Sequence, residues 1–180
     1  MMFKFITLIA VMAALVVAGC GSDDETASGA KIGNGTDRAF VAGMIPHHES
    51  AVEMATIAQQ RGESEFVKTL SANILRSQNQ ELSTMKAEEA KLADAGIEKG
   101  DLGVPGHMMG MDGDTAALKT ASPFDPAFLK MMLPHHEGAI PMAKAELEKG
   151  SNPKLKTLAA QIISEQEKEI GEMKKELAAL

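Results

Sequence analysis

Residues 44–50 read MIPHHES, and residues 132–138 read MLPHHEG. The two heptapeptides hold four of the chain's five histidines. Each places a methionine and a proline just ahead of a His-His pair. Imidazole nitrogen and thioether sulfur are lone-pair donors. Thioether is soft and selects Cu(I), while imidazole also suits Cu(II). A thioether has no proton to lose and forms no disulfide, so it tolerates an oxidising compartment where a thiolate site would be at risk.

At about 100° per residue, Met44, His47, Ala51 and Met54 share one helical face with Phe40. His48 lies to one side, and Glu49 and Glu53 point away. His47 and His48 therefore do not both aim at one ion from a straight helix. Met44 is in reach of His48 at the i,i+4 spacing and of His47 at i,i+3. Met54 lies roughly 10 Å along the axis from His47 at ~1.5 Å per residue. It belongs either to the core or to a second ligand set.

The elements that position these residues are written twice. Residues 37–86 align without a gap on 125–174, and twenty-one of the fifty positions are identical. The shared set includes Asp37/Asp125, Phe40/Phe128, Met44/Met132, Met54/Met142, Gln78/Gln166, Glu81/Glu169 and Met85/Met173. Each copy reads as two helices. The first spans about 37–61 and stops at Gly62; the second spans about 63–95, with an apolar stripe at Phe66, Leu70, Ile74, Met85 and Leu92. In the second copy Asn152-Pro153 opens the last helix. Pro46 and Pro134 either kink the first helix of each copy or mark its start after a separate short turn.

A hairpin turning near Gly62 brings Gln78 and Glu81 to the level of His47 and Met44, with Met85 on the same face at i,i+3,i+7. Gln166, Glu169 and Met173 repeat the relation to His135 and Met132. A carboxylate there can ligate a metal or hold a histidine's other nitrogen. The long link 96–124, rich in Gly, Asp and Pro, is the crossover that ferritin-like bundles use. The expected fold is all-α: a ferritin-like four-helix bundle of two duplicated αα-hairpins, built on a single core. Within the link, His107, Met108, Met109 and Met111 form either an additional metal site or a flexible loop.

The N-terminus adds a compartment. Residues 1–19 combine Lys4, an apolar run from Phe5 to Val17 and the small residues before Cys20, the only cysteine. The run is short for a membrane span and has the flanks of a secretory signal. The expectation is a lipoprotein leader with Cys20 lipidated, a flexible tether over 20–36, and one domain over 37–180. Disulfides then play no part. A net charge of −7 argues against nucleic acid. Ten of the 13 methionines follow the leader, six of them paired across the repeat; Met131 stands beside Met132. The donor set reads as copper handling.

The pattern M-[IL]-P-H-H-E-x-A-[VI]-x-M-A, at 44–55 and 132–143, resembles the motif of the bacterial domain-of-unknown-function family numbered 305. The resemblance covers about 36–177. It implies a secreted or membrane-tethered ferritin-like bundle, with copper bound outside the cytoplasm in some members. It implicates Met44, His47, His48 and Met54, with Met132, His135, His136 and Met142. The expected function is non-enzymatic: an extracytoplasmic lipoprotein, periplasmic or on the cell surface, that captures, sequesters or delivers Cu(I) or Cu(II) and needs no organic cofactor. Its expected partners are copper ions, a copper-transfer protein, the membrane through Cys20 and a second copy in a homodimer. Two readings compete. A di-iron or di-manganese carboxylate enzyme would need Glu-x-x-His, which the chain lacks. An adaptor lipoprotein would use its histidines for stability or weak zinc binding.

Overall fold

The structure, a computed structural model, describes residues 31–111 and 113–180. The leader, Cys20 and most of the tether lie outside them. Four helices carry the fold: α1 (Gly35–Arg61), α2 (Glu65–Asp94), α3 (Phe124–Lys149) and α4 (Pro153–Leu177). Among the described residues there is no strand. α1 packs on α2 and α3 on α4, and the two hairpins meet mainly through α1 and α3. The expected all-α bundle of two αα-hairpins is what forms. No helix among the described residues is long and apolar enough to cross a membrane.

Local chemistry sets the helix ends. Asn34 caps α1 by accepting from the Thr36 and Asp37 amides, and Asp37 answers on the Asn34 amide in a capping box. Ser64 caps α2 and Asn152 caps α4. α1 ends at Arg61 as expected. Gly62 has φ −57°, so its value there is room rather than a left-handed turn: a Cβ would stand 2.7 Å from the Ala58 carbonyl. α1 and α3 run unbroken through Pro46 and Pro134. Neither proline begins a new helix, and both rings sit on exposed positions. α3 also accommodates Pro141, opposite Glu53 in the repeat.

The two hairpins lock reciprocally. Asp37, at the start of α1, accepts from the amides of Ser151 and Asn152 in the α3–α4 turn, at 3.1 and 2.9 Å. Asp125, at the start of α3, accepts from the amides of Glu63 and Ser64 in the α1–α2 turn, at 2.9 and 2.8 Å. Each aspartate thus satisfies donors that the start of the opposite second helix leaves open. The repeat made this pair visible; its role comes from the antiparallel meeting of α1 and α3.

The buried apolar side chains form two clusters within the bundle. One holds Phe40, Met44, Met85, Met142 and Ile162. The other holds Met54, Ile74, Phe128, Met132 and Met173. Along every helix the change of cluster falls at buried polar residues: His47 and His48 on α1, Gln78 and Glu81 on α2, His135 and His136 on α3, Gln166 on α4.

The link between α2 and α3 is held to the bundle. Gly100 donates to the Gly35 carbonyl at 2.9 Å, and Arg61 reaches the carbonyls of Leu118 and Ala121 while stacking over Phe124. Phe124, placed in the link by sequence, is the first residue of α3. A short 3₁₀ turn, Gly106–Met108, leads into a segment seated on α3. A Cβ on Gly138 would strike the Met109 carbonyl group, and Gly110 takes φ +67° against the Pro134–His135 backbone. Ser50 stands where Gly138 stands in the other copy.

Burial also places one proton. Glu146 is buried with no donor for either carboxyl oxygen. That burial, with the neighbouring Asp37, pushes its carboxyl up to about 9. It is therefore neutral at pH 7 and able to donate to Asp37. Burial alone would raise Asp37, but the bonds from Glu146, Asn152, Ser151 and Asn34 outweigh it and hold that carboxyl low.

Two outcomes are expected. A carboxyl raised in the folded state stabilises fully below its ordinary value of 4.5 and loses that contribution as pH rises toward about 9. Thermal unfolding from pH 5 to 9.5 should show that decline in the native protein and a shallower one in Glu146→Gln. Equal slopes would contradict the protonated pair. Separately, Gly138→Ala should unseat the 106–111 segment or destabilise by about 1–3 kcal/mol through overpacking. Hydrogen exchange at the Met108 and Met109 amides reads the first effect; Ser50→Ala should leave those amides unchanged.

Candidate metal centre

α1 and α3 bring the two heptapeptides face to face. The His47 and His135 rings lie 3.8 Å apart, centroid to centroid, tilted by 39°. Within each motif the rings are farther apart, 6.1 Å for His47–His48 and 6.3 Å for His135–His136. The helical projection thus holds: the close pair joins the two copies. All four rings are at most 2% exposed.

Their hydrogen bonds sort the ring nitrogens. His47 Nε2 is 3.0 Å from the Met109 carbonyl, an acceptor, so that nitrogen carries the proton. His48 Nε2 donates to Glu81 Oε2 at 2.9 Å, and His136 Nε2 donates to Glu169 Oε2 at 2.7 Å. In each case Nδ1 is buried without a partner. His135 has no partner at either nitrogen. Burial, reinforced by the neighbouring His48 and His136, lowers His47 to about 3. Burial and the other three histidines hold His135 far below the ordinary imidazole range. Both rings are neutral at physiological pH, and neutral imidazole is the form that binds metals.

Glu81 and Glu169 are thus each engaged with the Nε2 of a histidine on the same hairpin. A carboxylate or carbonyl on one ring nitrogen fixes the ring and leaves the other for a metal. Gln78 and Gln166, at the expected level, are buried with side-chain oxygens unpartnered. Glu49 and Glu137 point to solvent and pair with Lys86 and Lys174. Among the described residues, no three His, Cys, Asp or Glu side chains converge to hold an ion. The imidazole nitrogens of this layer, with thioethers in the clusters on either side, are a donor set that fits a soft metal.

The methionines divide between the clusters. Met44, Met85 and Met142 lie on one side of the histidine layer, and Met54, Met132 and Met173 on the other. Met44 and Met54 are thus in different layers, as their spacing predicts. The 107–111 segment does not act as one group. His107 and Met108 line an outer groove along α3. Met109 gives its carbonyl to His47. Met111 lines a small cavity with Met54, Met131 and His135. Two features escaped the sequence reading: the role of Met131, and the Gly138/Ser50 difference that lets the segment sit on one copy only. The signal for both lay in positions where the repeat fails, Gly43 opposite Met131 and Ser50 opposite Gly138.

Known proteins share this architecture. CopM in its Cu(II)-bound form is 33% identical, with a TM-score of 0.69 over 79% of this chain and 96% of its own. CopM is also known in a Cu(I)-bound form. A DUF305 fragment from Deinococcus radiodurans is 32% identical, with a TM-score of 0.66 over 81% of this chain and 97% of its own. A DUF305 protein from Streptomyces coelicolor is 30% identical, with a TM-score of 0.68 over 81% and 92%. No curated protein matches the chain. The family model described as Domain of unknown function (DUF305) matches residues 16–89 and 37–177. With the doubled motif on two paired hairpins, the chain belongs to the DUF305 family.

Proposed function

We propose that this protein is an extracytoplasmic copper-binding lipoprotein that captures Cu(I) or Cu(II) and holds it for sequestration or delivery. The observation that carries the reading is the set of five buried, unpartnered imidazole nitrogens on His47, His48, His135 and His136. Leaving one buried polar atom unmade costs about 1–3 kcal/mol. Five in one layer are a standing cost that ligand binding relieves. The thioethers of Met44, Met54, Met132 and Met142 lie in the flanking clusters and complete a soft donor set. CopM, a relative of the same fold, has copper-bound forms.

Capture and release follow from this chain's own groups. Glu81, Glu169 and the Met109 carbonyl orient three rings and fix their tautomers. His47 and His135, kept neutral by burial, need shed no proton to bind. The flanking apolar clusters exclude water, which favours soft, weakly hydrated Cu(I). The role is binding rather than catalysis. A hard-oxygen di-iron site finds little support, because Glu81 and Glu169 are already engaged with imidazole. Cys20, behind its leader, supplies the lipid anchor and hence the extracytoplasmic location.

The test is the double variant His47→Ala with His135→Ala, titrated with Cu(I) against a competing chelator. Its affinity should fall at least tenfold, in the range of roughly 10–100-fold that losing even a supporting group costs. Circular dichroism should report helical content close to the native value. Native affinity in the variant would sink this assignment.

A further inference from the structure

The two motifs are nearly identical in sequence, yet their surroundings are not. His47 is engaged by the Met109 carbonyl. His135, its counterpart, has both ring nitrogens buried and unpartnered. His135 also lines a cavity of about 10 Å³ with Met54, Met111 and Met131, closed by Ser50, Gly110 and Gly113. That is on the order of the room one water-sized sphere needs. Three methionines and a histidine with unpartnered ring nitrogens therefore border a space of single-ion size. They come from three parts of the chain: α1, the link and α3. Met111 reaches both the cavity and solvent, being 41% exposed.

The first copy cannot build the same arrangement. Gly43 stands where Met131 stands, and the Met142 methyl comes within 2.9 Å of where a Gly43 Cβ would be. Met142, the partner of Met54 in the repeat, fills that space with its own side chain. Met111 belongs to the link, outside both copies of the repeat, and so has no counterpart within the first copy.

We propose that Met54, Met111, Met131 and His135 form a single Cu(I)-selective site, the port through which the ion enters toward the His47–His135 pair. The inference rests on the copper reading above and makes it asymmetric. Three neutral sulfurs and one imidazole suit a monovalent soft ion and offer little to Zn(II) or to hydrated Cu(II). The contact of His135 with His47 then gives a bound ion a neighbouring imidazole on the other hairpin.

The test uses the purified protein with methionine methyls labelled with ¹³C, titrated with Ag(I) as a redox-inert probe for Cu(I). The first equivalent should move the methyls of Met54, Met111 and Met131 and leave those of Met44, Met85 and Met142 in place. In parallel, chelator competition with Cu(I) should show Met111→Leu with Met131→Leu weakened at least about tenfold. Met108→Leu, in the same segment but facing the outer groove, should bind as the native protein does. Both substitutions lie at solvent-reachable positions and nearly conserve volume, so unfolding temperature should hold. First-equivalent shifts confined to Met44, Met85 or Met142, or native affinity in the double variant, would overturn this site while leaving copper binding intact. No Ag(I) or Cu(I) binding by the native protein would overturn this site and the copper reading together.

Discussion

Everything in this bundle is arranged around a layer of buried imidazole that the apolar core cannot absorb. A four-helix protein of this size would ordinarily close one continuous hydrophobic interior. Here His47, His48, His135 and His136 divide it, and the apolar residues of each helix fall to either side. Burying polar rings is unfavourable unless their atoms are paired. The fold pairs one nitrogen on three of the rings and leaves the rest open. The layer persists because the two halves of the core are each complete, with phenylalanine, methionine and leucine packed at or near full burial.

The supports of that layer are graded. Glu81 and Glu169 come from the second helix of the same hairpin, so their registry with His48 and His136 is local to each copy. The Met109 carbonyl comes from outside both copies. The aspartates at 37 and 125 act between hairpins and fix how α1 meets α3. Without that registry the His47–His135 contact would have no fixed geometry. A protonated Glu146 beside Asp37 belongs to the same joint: it removes one of two negative charges that could not both stay ionised in a buried corner.

Much of this was legible in the sequence because the repeat doubles every signal. The hairpins, their stop at Gly62, the cap at Asn152 and the level of Gln78 and Glu81 opposite His47 follow from periodicity and helix geometry. Spacing also separates Met44 from Met54 correctly. What stayed hidden depends on how α1 and α3 cross. Periodicity within a helix cannot say that His47 meets His135, or that Asp125 reaches the turn at Glu63. Nor can it show that Pro46 rides the solvent face without interrupting α1. The position of the link was equally hidden, because its seat on Gly138 is a tertiary fit between a carbonyl and a missing side chain.

The reciprocal aspartates carry an implication about origin. One hairpin with its aspartate and its open turn is self-complementary. Two copies about a twofold axis would each satisfy the other, the isologous arrangement common among homodimers. Joining two such copies in one chain keeps the joint and removes the symmetry requirement. Each half can then drift alone, as Gly43 against Met131 and Ser50 against Gly138 record. A connecting segment becomes a third component that no symmetric pair of hairpins could share equally. In this chain it lies over one copy and touches a histidine of the other, turning an inherited twofold into a molecule with a front and a back.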